Sequence, residues 1–247
     1  MNSFEISPEF LPLLREHKLD TFDAIMQCPA EHVMRSVPGR STVRLPMGIY
    51  LKRYEPAYYP LWKRLCPHDE ATQEWRATHA LLHAGFNAPK PVASGRRGLR
   101  SFVMTLEIAG GIDAEATLLK RDTAGRHALL ESIAQVSWRF LEAGFIHKDL
   151  YLRHIFVAGT ELYFIDLQRA IGPAQFAQRW HVKDLAALAH SVSRLGLPDA
   201  DLLPALRQCG GDEALWRRVE ARMAWLNKRR PKYIGVWDNP EKSQAKY

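Results

Sequence analysis

A short segment near the middle of the chain carries residue types suited to phosphoryl transfer. Residues 147–149 read His-Lys-Asp, and they follow a predicted helix that ends at Gly144. A second aspartate, Asp166, comes directly after the apolar residues 162–165 of a predicted hairpin. Phosphoryl transfer needs one carboxylate to orient the attacking hydroxyl and accept its proton, and a second to hold Mg²⁺ on the phosphates. Asp149 suits the first role and Asp166 the second.

The same chemistry needs a lysine that neutralises the phosphates and a glutamate that holds this lysine. Lys52 lies midway along a predicted strand, and Glu74 lies on the helix that follows. Each residue has an alternative. Lys52 could be a solvated strand lysine beside Arg53, and Glu70 could take the place of Glu74. The order Lys, Glu, His-x-Asp, Asp along one chain favours the functional interpretation.

The phosphate loop between the first two predicted strands is reduced to a single glycine, Gly39. Arg40 and Ser41 could contact phosphate from this turn, or they could be exposed turn residues. A protein kinase has several glycines here, which leave backbone N–H groups close to the phosphates. The sequence therefore predicts nucleotide binding through Gly39 and Arg40 and leaves the geometry of the bound nucleotide open.

Two histidines flank Asp149 and belong to the candidate site. We place His147 in the catalytic group, although a structural role that bridges backbone near the second aspartate is favoured over proton transfer. His154 stands where protein kinases place a metal-binding asparagine, so it is a candidate metal ligand. Because imidazole is a poorer Mg²⁺ ligand than an oxygen, either His154 contacts phosphate, or the second metal is weak or absent.

The elements that must position these residues divide the chain in two. Helices are predicted within residues 7–28, followed by strands at 33–36, 42–45 and 49–54, a helix at 69–84, a strand near Val92, a turn at 95–98 and a strand at 101–106. A helix at 123–143, the hairpin at 155–165 and helices at about 179–195, 199–208 and 212–229 follow. This order predicts an α+β fold with two lobes: N-terminal helices over 1–30, a small antiparallel-sheet lobe with one helix over 31–110, and a mainly helical lobe over 111–247.

The composition is typical of a globular protein, and the net charge indicates an anionic partner. Of its 247 residues, 47% are apolar and 25% charged, which excludes a disordered tail, a collagen-like chain and a coiled coil. The net charge of +7 indicates phosphate, nucleic acid or acidic lipid as a partner. Three cysteines are too few for a disulfide scaffold, and no signal pattern or membrane span is visible. We therefore expect a cytoplasmic protein.

The C-terminal region is basic and aromatic, with Trp216, Arg222, Trp225 and the run 228–233 as its main features. A closing helix with a solvated basic end is favoured. The alternative is contact with anionic lipid phosphates, which would make the protein peripheral on the cytoplasmic face of a membrane. Nucleic acid is not expected, because no recognised motif accompanies these residues.

At this point the residues resemble a known family. His147-Lys-Asp-Leu-Tyr-Leu-Arg-His154, followed by Ile165-Asp-Leu-Gln-Arg-Ala170, is similar to the lipopolysaccharide core kinases of Gram-negative bacteria, the WaaP/InaA-type family. The Asp-x-Tyr-x-x-His pattern is closer to the heptose-kinase branch than to the Kdo-kinase branch, where Asn is usual. The resemblance runs from about Val33 to Leu195.

This resemblance implies a protein-kinase-like fold, ATP with Mg²⁺, and transfer of the γ-phosphate to a hydroxyl of an inner-core sugar, with heptose favoured. It implies Asp149 as the catalytic base, Asp166 as the metal ligand, and Asp184 as a helix aspartate that supports the catalytic loop. Two alternatives remain. One is the same fold with another acceptor, such as Kdo, a small molecule or a protein. The other is a nucleotide-binding pseudokinase, suggested by His154 and the reduced glycine loop.

Overall fold

The computed structural model describes residues 2–29, 32–55, 69–174 and 178–229. Its first half is built around a six-stranded antiparallel sheet in the order β1-β5-β6-β4-β3-β2. The strands are β1 (Ser3–Ile6), β2 (His32–Val37), β3 (Arg40–Leu45), β4 (Ile49–Tyr54), β5 (Pro91–Arg97) and β6 (Arg100–Leu106). Sequence patterns predicted five of these strands. They missed β1, a short edge strand whose residues are mostly exposed and show no alternation.

Alternation along β4 decides which face of the sheet carries Lys52. Ile49 and Leu51 are fully buried in an apolar cluster with helices α1 (Leu11–Glu16) and α2 (Phe22–Gln27). Since successive side chains on a strand point to opposite faces, Lys52 lies on the other face. Tyr54 shares that face, and it packs there with the helix α3 (Glu70–His83).

The helix α3 is positioned by its cap and by its buried stripe. Asp69 caps its N-terminus, where Oδ1 accepts a hydrogen bond of 3.1 Å from the Thr72 backbone N–H. The buried residues recur with helical spacing: Ala71, Glu74, Trp75, Ala77, Thr78 and Leu81. Glu74 is the one acidic member of this stripe. The packing that fixes the helix therefore also places the Glu74 carboxylate against the face of the sheet that carries Lys52.

Gly95 lies inside a strand, and the predicted turn over residues 95–98 is wrong at residues 95–97. The strand β5 continues to Arg97. A Cβ atom at Gly95 would lie 2.6 Å from Cε1 of Phe102 and 3.0 Å from Cδ2 of Phe22. The glycine is therefore present because two aromatic rings cover the backbone closely. Sequence patterns read it as a turn because they cannot show rings that approach from distant segments.

Gly95→Ala should lower the free energy of unfolding by about 1–3 kcal/mol, because the added methyl group overpacks this contact. Urea denaturation of the full chain would measure the loss. In a Phe102→Leu background the same substitution should cost less, since the smaller side chain gives the methyl group room. Equal costs in the two backgrounds would contradict the packing explanation.

The remaining elements are mainly helical. In chain order they are β7 (Ile112–Asp113), α4 (Ala114–Lys120), α5 (Thr123–Glu142), β8 (Ile155–Ala158), β9 (Glu161–Phe164), α6 (Gln178–Ser193), α7 (Leu203–Cys209) and α8 (Glu213–Arg229). Sequence patterns predicted α5, the β8–β9 hairpin and the last three helices. They missed β7 and α4, which are short, although Asp113 caps α4 through the Ala116 N–H at 2.8 Å. Cys66 and the basic residues after 229 lie outside the described residues.

The chain forms two compact units, and neither is one continuous segment. The first contains Met1–Ile112 and Phe156–Pro173, and the second contains Asp113–Ile155 and Ala174–Tyr247. The hairpin that carries Asp166 thus groups with the sheet and not with the helices predicted around it. Asn87 contributes to this grouping, because its side chain donates to Glu161 at 2.8 Å and its backbone carbonyl accepts from the Phe164 N–H at 3.0 Å. The predicted lobe limits themselves stay a prediction.

The second unit is held together by apolar faces of its long helices. Leu129, Ile133 and Phe140 of α5 are buried, as are Leu185 and Leu188 of α6. The residues Trp216 and Val219 of α8 add to the buried set. Among the described residues, no helix combines the length and apolar character that a membrane crossing needs.

Candidate active site

Lys52 is the centre of a charged group in the first unit. Its Nζ lies 2.7 Å from Oε1 of Glu74 and 2.9 Å from Oδ1 of Asp166. Burial alone would lower the pKa of the Lys52 ammonium, but the charges of Asp166 and Glu74 outweigh it and raise this pKa. The lysine therefore stays protonated, and one cation bridges carboxylates from a helix and from a hairpin.

The structure places Glu74 and not Glu70 against the lysine. Its side chain is buried on the packed face of α3, and burial raises the pKa of its carboxyl despite the neighbouring ammonium. Of its two oxygens, Oε2 has no hydrogen-bond partner among the described residues. Glu74 thus depends on Lys52 for the compensation of its charge.

Asp166 is held in an uncommon backbone conformation. Its φ of 58° and ψ of 50° lie in the left-handed region, which aspartate enters more readily than most residues. The turn after it is tied to the first unit on both sides. Gln168 accepts a hydrogen bond of 3.2 Å from the Tyr54 hydroxyl, and the Ala170 carbonyl accepts one from Gln73. The Asp166 carboxylate is therefore fixed beside Lys52, and its side chain is 26% exposed.

The turn predicted to bind phosphate brings Arg40 to the same place. Pro38 and Gly39 form a two-residue turn between β2 and β3, with Val37 paired to Arg40. The φ of Gly39 is 80°, in the region that favours glycine. Arg40 Nη2 lies 3.6 Å from Asp166 Oδ1. Arg40, Lys52, Glu74 and Asp166 are called the lysine group below.

The second unit holds the loop of residues 147–154 on the helix α6. Oδ2 of Asp184 accepts hydrogen bonds from the backbone N–H groups of His147, at 2.7 Å, and Lys148, at 3.2 Å. Lys183 Nζ donates to the Lys148 carbonyl. Further along, the Leu152 N–H donates to Ser191 Oγ at 3.1 Å. The supporting role that the family resemblance implied for Asp184 agrees with this geometry.

The two histidines of this loop stack on each other, and His154 also contacts the loop backbone. His147 is fully buried and stacks on His154, with 5.7 Å between ring centroids and 14° between ring planes. Its burial favours the structural role over proton transfer. His154 Nδ1 lies 2.6 Å from the Asp149 carbonyl oxygen. Because a carbonyl only accepts, Nδ1 carries a proton, and Nε2 is the acceptor of the neutral ring.

No group of three or more His, Cys, Asp or Glu side chains within the described ranges is arranged to hold a metal ion. Mg²⁺ does not need such a group, because proteins often bind it through one or two carboxylates together with substrate phosphates. The assignments of Asp166 and His154 as metal ligands stay predictions.

Among the residues that hold the loop of residues 147–154, Asp184 has the pKa that is shifted most from its ordinary value. Burial raises the pKa of its carboxyl to about 6, although the backbone donors of His147 and Lys148 and the Lys183 ammonium oppose the change. Its other oxygen, Oδ1, has no hydrogen-bond partner among the described residues. The folded protein therefore holds a proton on Asp184 more tightly than the unfolded chain does.

This shift predicts a pH dependence of stability. Since the folded pKa exceeds the ordinary value of 3.8, the contribution of Asp184 is fully present below pH 3.8 and is lost as the pH rises through about 6. Asp184→Asn removes the titration and can keep a carbonyl oxygen facing both N–H donors. The stability of the wild type relative to this variant should therefore fall between pH 4 and pH 6 in urea denaturation. A difference that stays constant over this range would contradict the burial of a titrating carboxylate.

Sequence reasoning missed the residues that hold the site in place. Tyr54 and Gln168 fix the turn after Asp166, while Lys183 and Ser191 fix the loop that carries Asp149. The partners are 35 to 114 residues apart in sequence, so no local pattern reveals them. Only Lys183 had a signal, because it directly precedes Asp184.

A strand lysine paired with a helix glutamate and a hairpin aspartate, together with a His-x-Asp loop held by a helix aspartate, defines the class of the protein. This set of groups is that of a protein-kinase-like phosphotransferase. These groups come from both units of the chain.

Comparisons with known proteins give the family. The model of the lipopolysaccharide kinase (Kdo/WaaP) family matches residues 58–207. The lipopolysaccharide core heptose(I) kinase WaaP of Pseudomonas aeruginosa is 33% identical over an alignment of 218 positions, which covers 76% of this chain and 80% of that protein. A solved structure of WaaP in complex with acyl carrier protein superimposes with a TM-score of 0.68 at 26% identity, over 92% of this chain and 97% of the other.

The chain belongs to the lipopolysaccharide kinase (Kdo/WaaP) family and is a kinase. The α+β, protein-kinase-like fold predicted from sequence is confirmed. The crystal structure of monomeric WbdD shares the fold alone, with a TM-score of 0.51 and 18% identity over 77% of this chain and 45% of the other. The family match includes Glu74, Asp149 and Asp166 but begins after Arg40 and Lys52.

Proposed function

We propose that this protein transfers the γ-phosphate of ATP to a hydroxyl group of a lipopolysaccharide inner-core sugar, and that the sugar is heptose. One observation carries the proposal: Lys52 bridges Glu74 and Asp166, the arrangement that places a cation on nucleotide phosphates. The name of the Pseudomonas aeruginosa relative and the Asp-x-Tyr-x-x-His pattern from Asp149 to His154 support heptose over Kdo.

The lysine group would bind the phosphates and the metal. Lys52 neutralises phosphate charge, Glu74 orients Lys52, and the turn at Gly39 and Arg40 adds contacts. The Asp166 carboxylate offers the hard oxygen ligands that Mg²⁺ prefers, so this residue fits the metal. The His154 imidazole fits it poorly, and its Nδ1–H is already directed at the Asp149 carbonyl. Bound Mg²⁺ would neutralise the charge that develops on the β- and γ-phosphates.

The loop of the second unit would supply the base. Asp149 orients the sugar hydroxyl, whose oxygen forms a bond to the γ-phosphorus. The bond from the γ-phosphorus to the β,γ-bridging oxygen breaks, and its electron pair leaves with ADP. The hydroxyl proton moves to the Asp149 carboxylate. Transfer is direct, since none of the residues that the structure describes is positioned as a nucleophile that would form a phosphoenzyme.

We also propose a cytoplasmic location, with peripheral contact to the inner membrane through α8. Arg222 lies over the ring of Trp225, with 4.0 Å between its Cζ and the ring centroid, and Trp225 is 37% exposed. An aromatic ring beside a guanidinium suits an interface with acidic lipid headgroups. Such contact would bring the enzyme close to its proposed acceptor, because that sugar is linked to a lipid.

Transfer of labelled phosphate tests the proposed function. The full chain is incubated with γ-labelled ATP, Mg²⁺ and dephosphorylated inner-core lipopolysaccharide, and label in the saccharide is the expected result. A protein panel and free small sugars test the other acceptors. Thermal stabilisation by ATP without transfer to any acceptor would favour the pseudokinase. If saturating ATP did not stabilise the protein, both the sugar kinase and a kinase with another acceptor would be contradicted.

A further inference from the structure

The turn between β2 and β3 is too short to cradle a phosphate with backbone N–H groups. It consists of Pro38 and Gly39, and Val37 and Arg40 are already paired across the two strands. Proline has no backbone N–H, so Gly39 supplies the only one within the turn. A glycine-rich loop covers the phosphates with backbone that several glycines allow to approach. The donors that such a loop would offer must come from elsewhere in this protein.

Arg40 has donors that the described residues do not use. Its side chain is 13% exposed, and its Nε is buried without a hydrogen-bond partner among the described residues. Its guanidinium lies over the Tyr54 ring at 5.4 Å, and its nearest carboxylate oxygen, on Asp166, is at 3.6 Å, beyond hydrogen-bond distance. Buried polar groups are nearly always hydrogen-bonded. Among the described residues, this mostly buried guanidinium has an ion pair and a ring contact but no hydrogen bond from its Nε, which indicates an anionic ligand.

The position of Arg40 indicates which anion. Arg40 and Lys52 converge on one atom, Oδ1 of Asp166, at 3.6 and 2.9 Å. Asp166 is the residue that fits Mg²⁺, and this metal binds the β- and γ-phosphates of ATP. A guanidinium beside the metal ligand is thus close to the metal-bound phosphates and not to the α-phosphate. Its planar fork also matches two oxygens of one phosphate.

We infer that Arg40 is a phosphate ligand that replaces the backbone donors of a glycine-rich loop and distinguishes ATP from nucleotides with fewer phosphates. The inference rests on the proposed function, because it assigns a role within the same nucleotide site. Arg40 forms an ion pair with Asp166 in the structure described here, and binds the terminal phosphates when nucleotide and metal are bound. The selectivity for phosphate number comes from this side chain.

Nucleotide titration calorimetry of the full chain tests the role with ATP, ADP and AMP in the presence of Mg²⁺. Arg40→Ala should weaken ATP binding roughly 10- to 100-fold, the loss typical of a charge-assisted hydrogen bond, and should leave AMP binding within about threefold. The ATP affinity of Arg40→Lys should lie between those of the wild type and Arg40→Ala, because lysine keeps the charge but lacks the planar fork of N–H donors. A melting curve of each variant confirms that it is folded.

Arg44→Ala is the matched control. Arg44 lies on the same strand and the same face as Arg40, but it pairs with Glu107 at 2.6 Å. Its removal should leave ATP binding unchanged. Equal losses of ATP and AMP affinity in Arg40→Ala, or no loss, would overturn the inference and leave Arg40 as a packing partner of Tyr54. A wild type that binds none of the three nucleotides would instead overturn the proposed function itself.

Discussion

Asp149→Asn should lower the rate of phosphate transfer by roughly 10²- to 10⁴-fold, the range typical of a lost general base. The amide keeps the shape of the carboxylate but cannot accept the hydroxyl proton. Three hydrogen bonds to backbone groups hold the loop around it. The N–H groups of His147 and Lys148 donate to Asp184, and His154 Nδ1 donates to the Asp149 carbonyl, so none of the three needs the Asp149 side chain. Single-turnover transfer at saturating ATP would measure the loss.

ATP affinity and stability separate this effect from a folding defect. Both should stay close to the wild-type values, because Asp149 is proposed to act on the acceptor and not on the nucleotide. Asp122→Asn is the control variant, since Asp122 caps α5 through the Gly125 N–H at 2.8 Å and asparagine caps equally well. Its transfer rate should match the wild type. An Asp149→Asn variant that transfers phosphate at the wild-type rate would remove Asp149 as the base.

Lys52→Met should abolish transfer and also destabilise the fold by about 3–5 kcal/mol, the cost of leaving a buried charge without its partner. Glu74 is buried and has no other cation within hydrogen-bond distance among the described contacts, so its carboxylate would lose its compensation. Urea denaturation and the transfer assay measure the two effects on the same preparation. Activity and stability are thus expected to fall together, for different reasons.

A double variant separates the two causes. In Lys52→Met/Glu74→Gln the buried negative charge is also removed, so part of the stability should return while transfer stays absent. Glu74→Gln alone should retain the fold and reduce transfer, because Lys52 keeps Asp166 as a partner but loses its orientation by the helix. If the losses of stability in the two single variants simply add in the double variant, the ion pair does not have the energetic role described here.

Local patterns were sufficient for the elements that present the charged residues. Alternation along β4 placed Lys52 on a strand, and the Asp69 cap with the apolar spacing after it placed Glu74 on a helix. The same patterns could choose Glu74 over Glu70 only as a preference. The choice follows from which turn of α3 faces the sheet, and this depends on the packing of Trp75 and Ala71 against Tyr54 and Val103.

Long-range contacts decided the rest of the site. The left-handed backbone of Asp166 is held by Tyr54 through Gln168, 114 residues away, and Asn87 contributes to the grouping of the hairpin with the sheet. Neither contact leaves a trace in local periodicity. The burial of Arg40 is similar, because a turn residue is exposed by default until the ring and carboxylate that cover it are known. Local patterns thus predicted the charged residues, whereas among the residues that support them only Asp184 was expected, and that from the family resemblance.

The identity of the labelled sugar tests the central claim most directly. After transfer from γ-labelled ATP to dephosphorylated inner-core lipopolysaccharide, the product is hydrolysed and the labelled monosaccharide is identified. We expect label on heptose, and a parallel reaction of Asp149→Asn should give roughly 10²- to 10⁴-fold less label in the same time. Label on Kdo, label on the protein, or label released only as inorganic phosphate would contradict the claim.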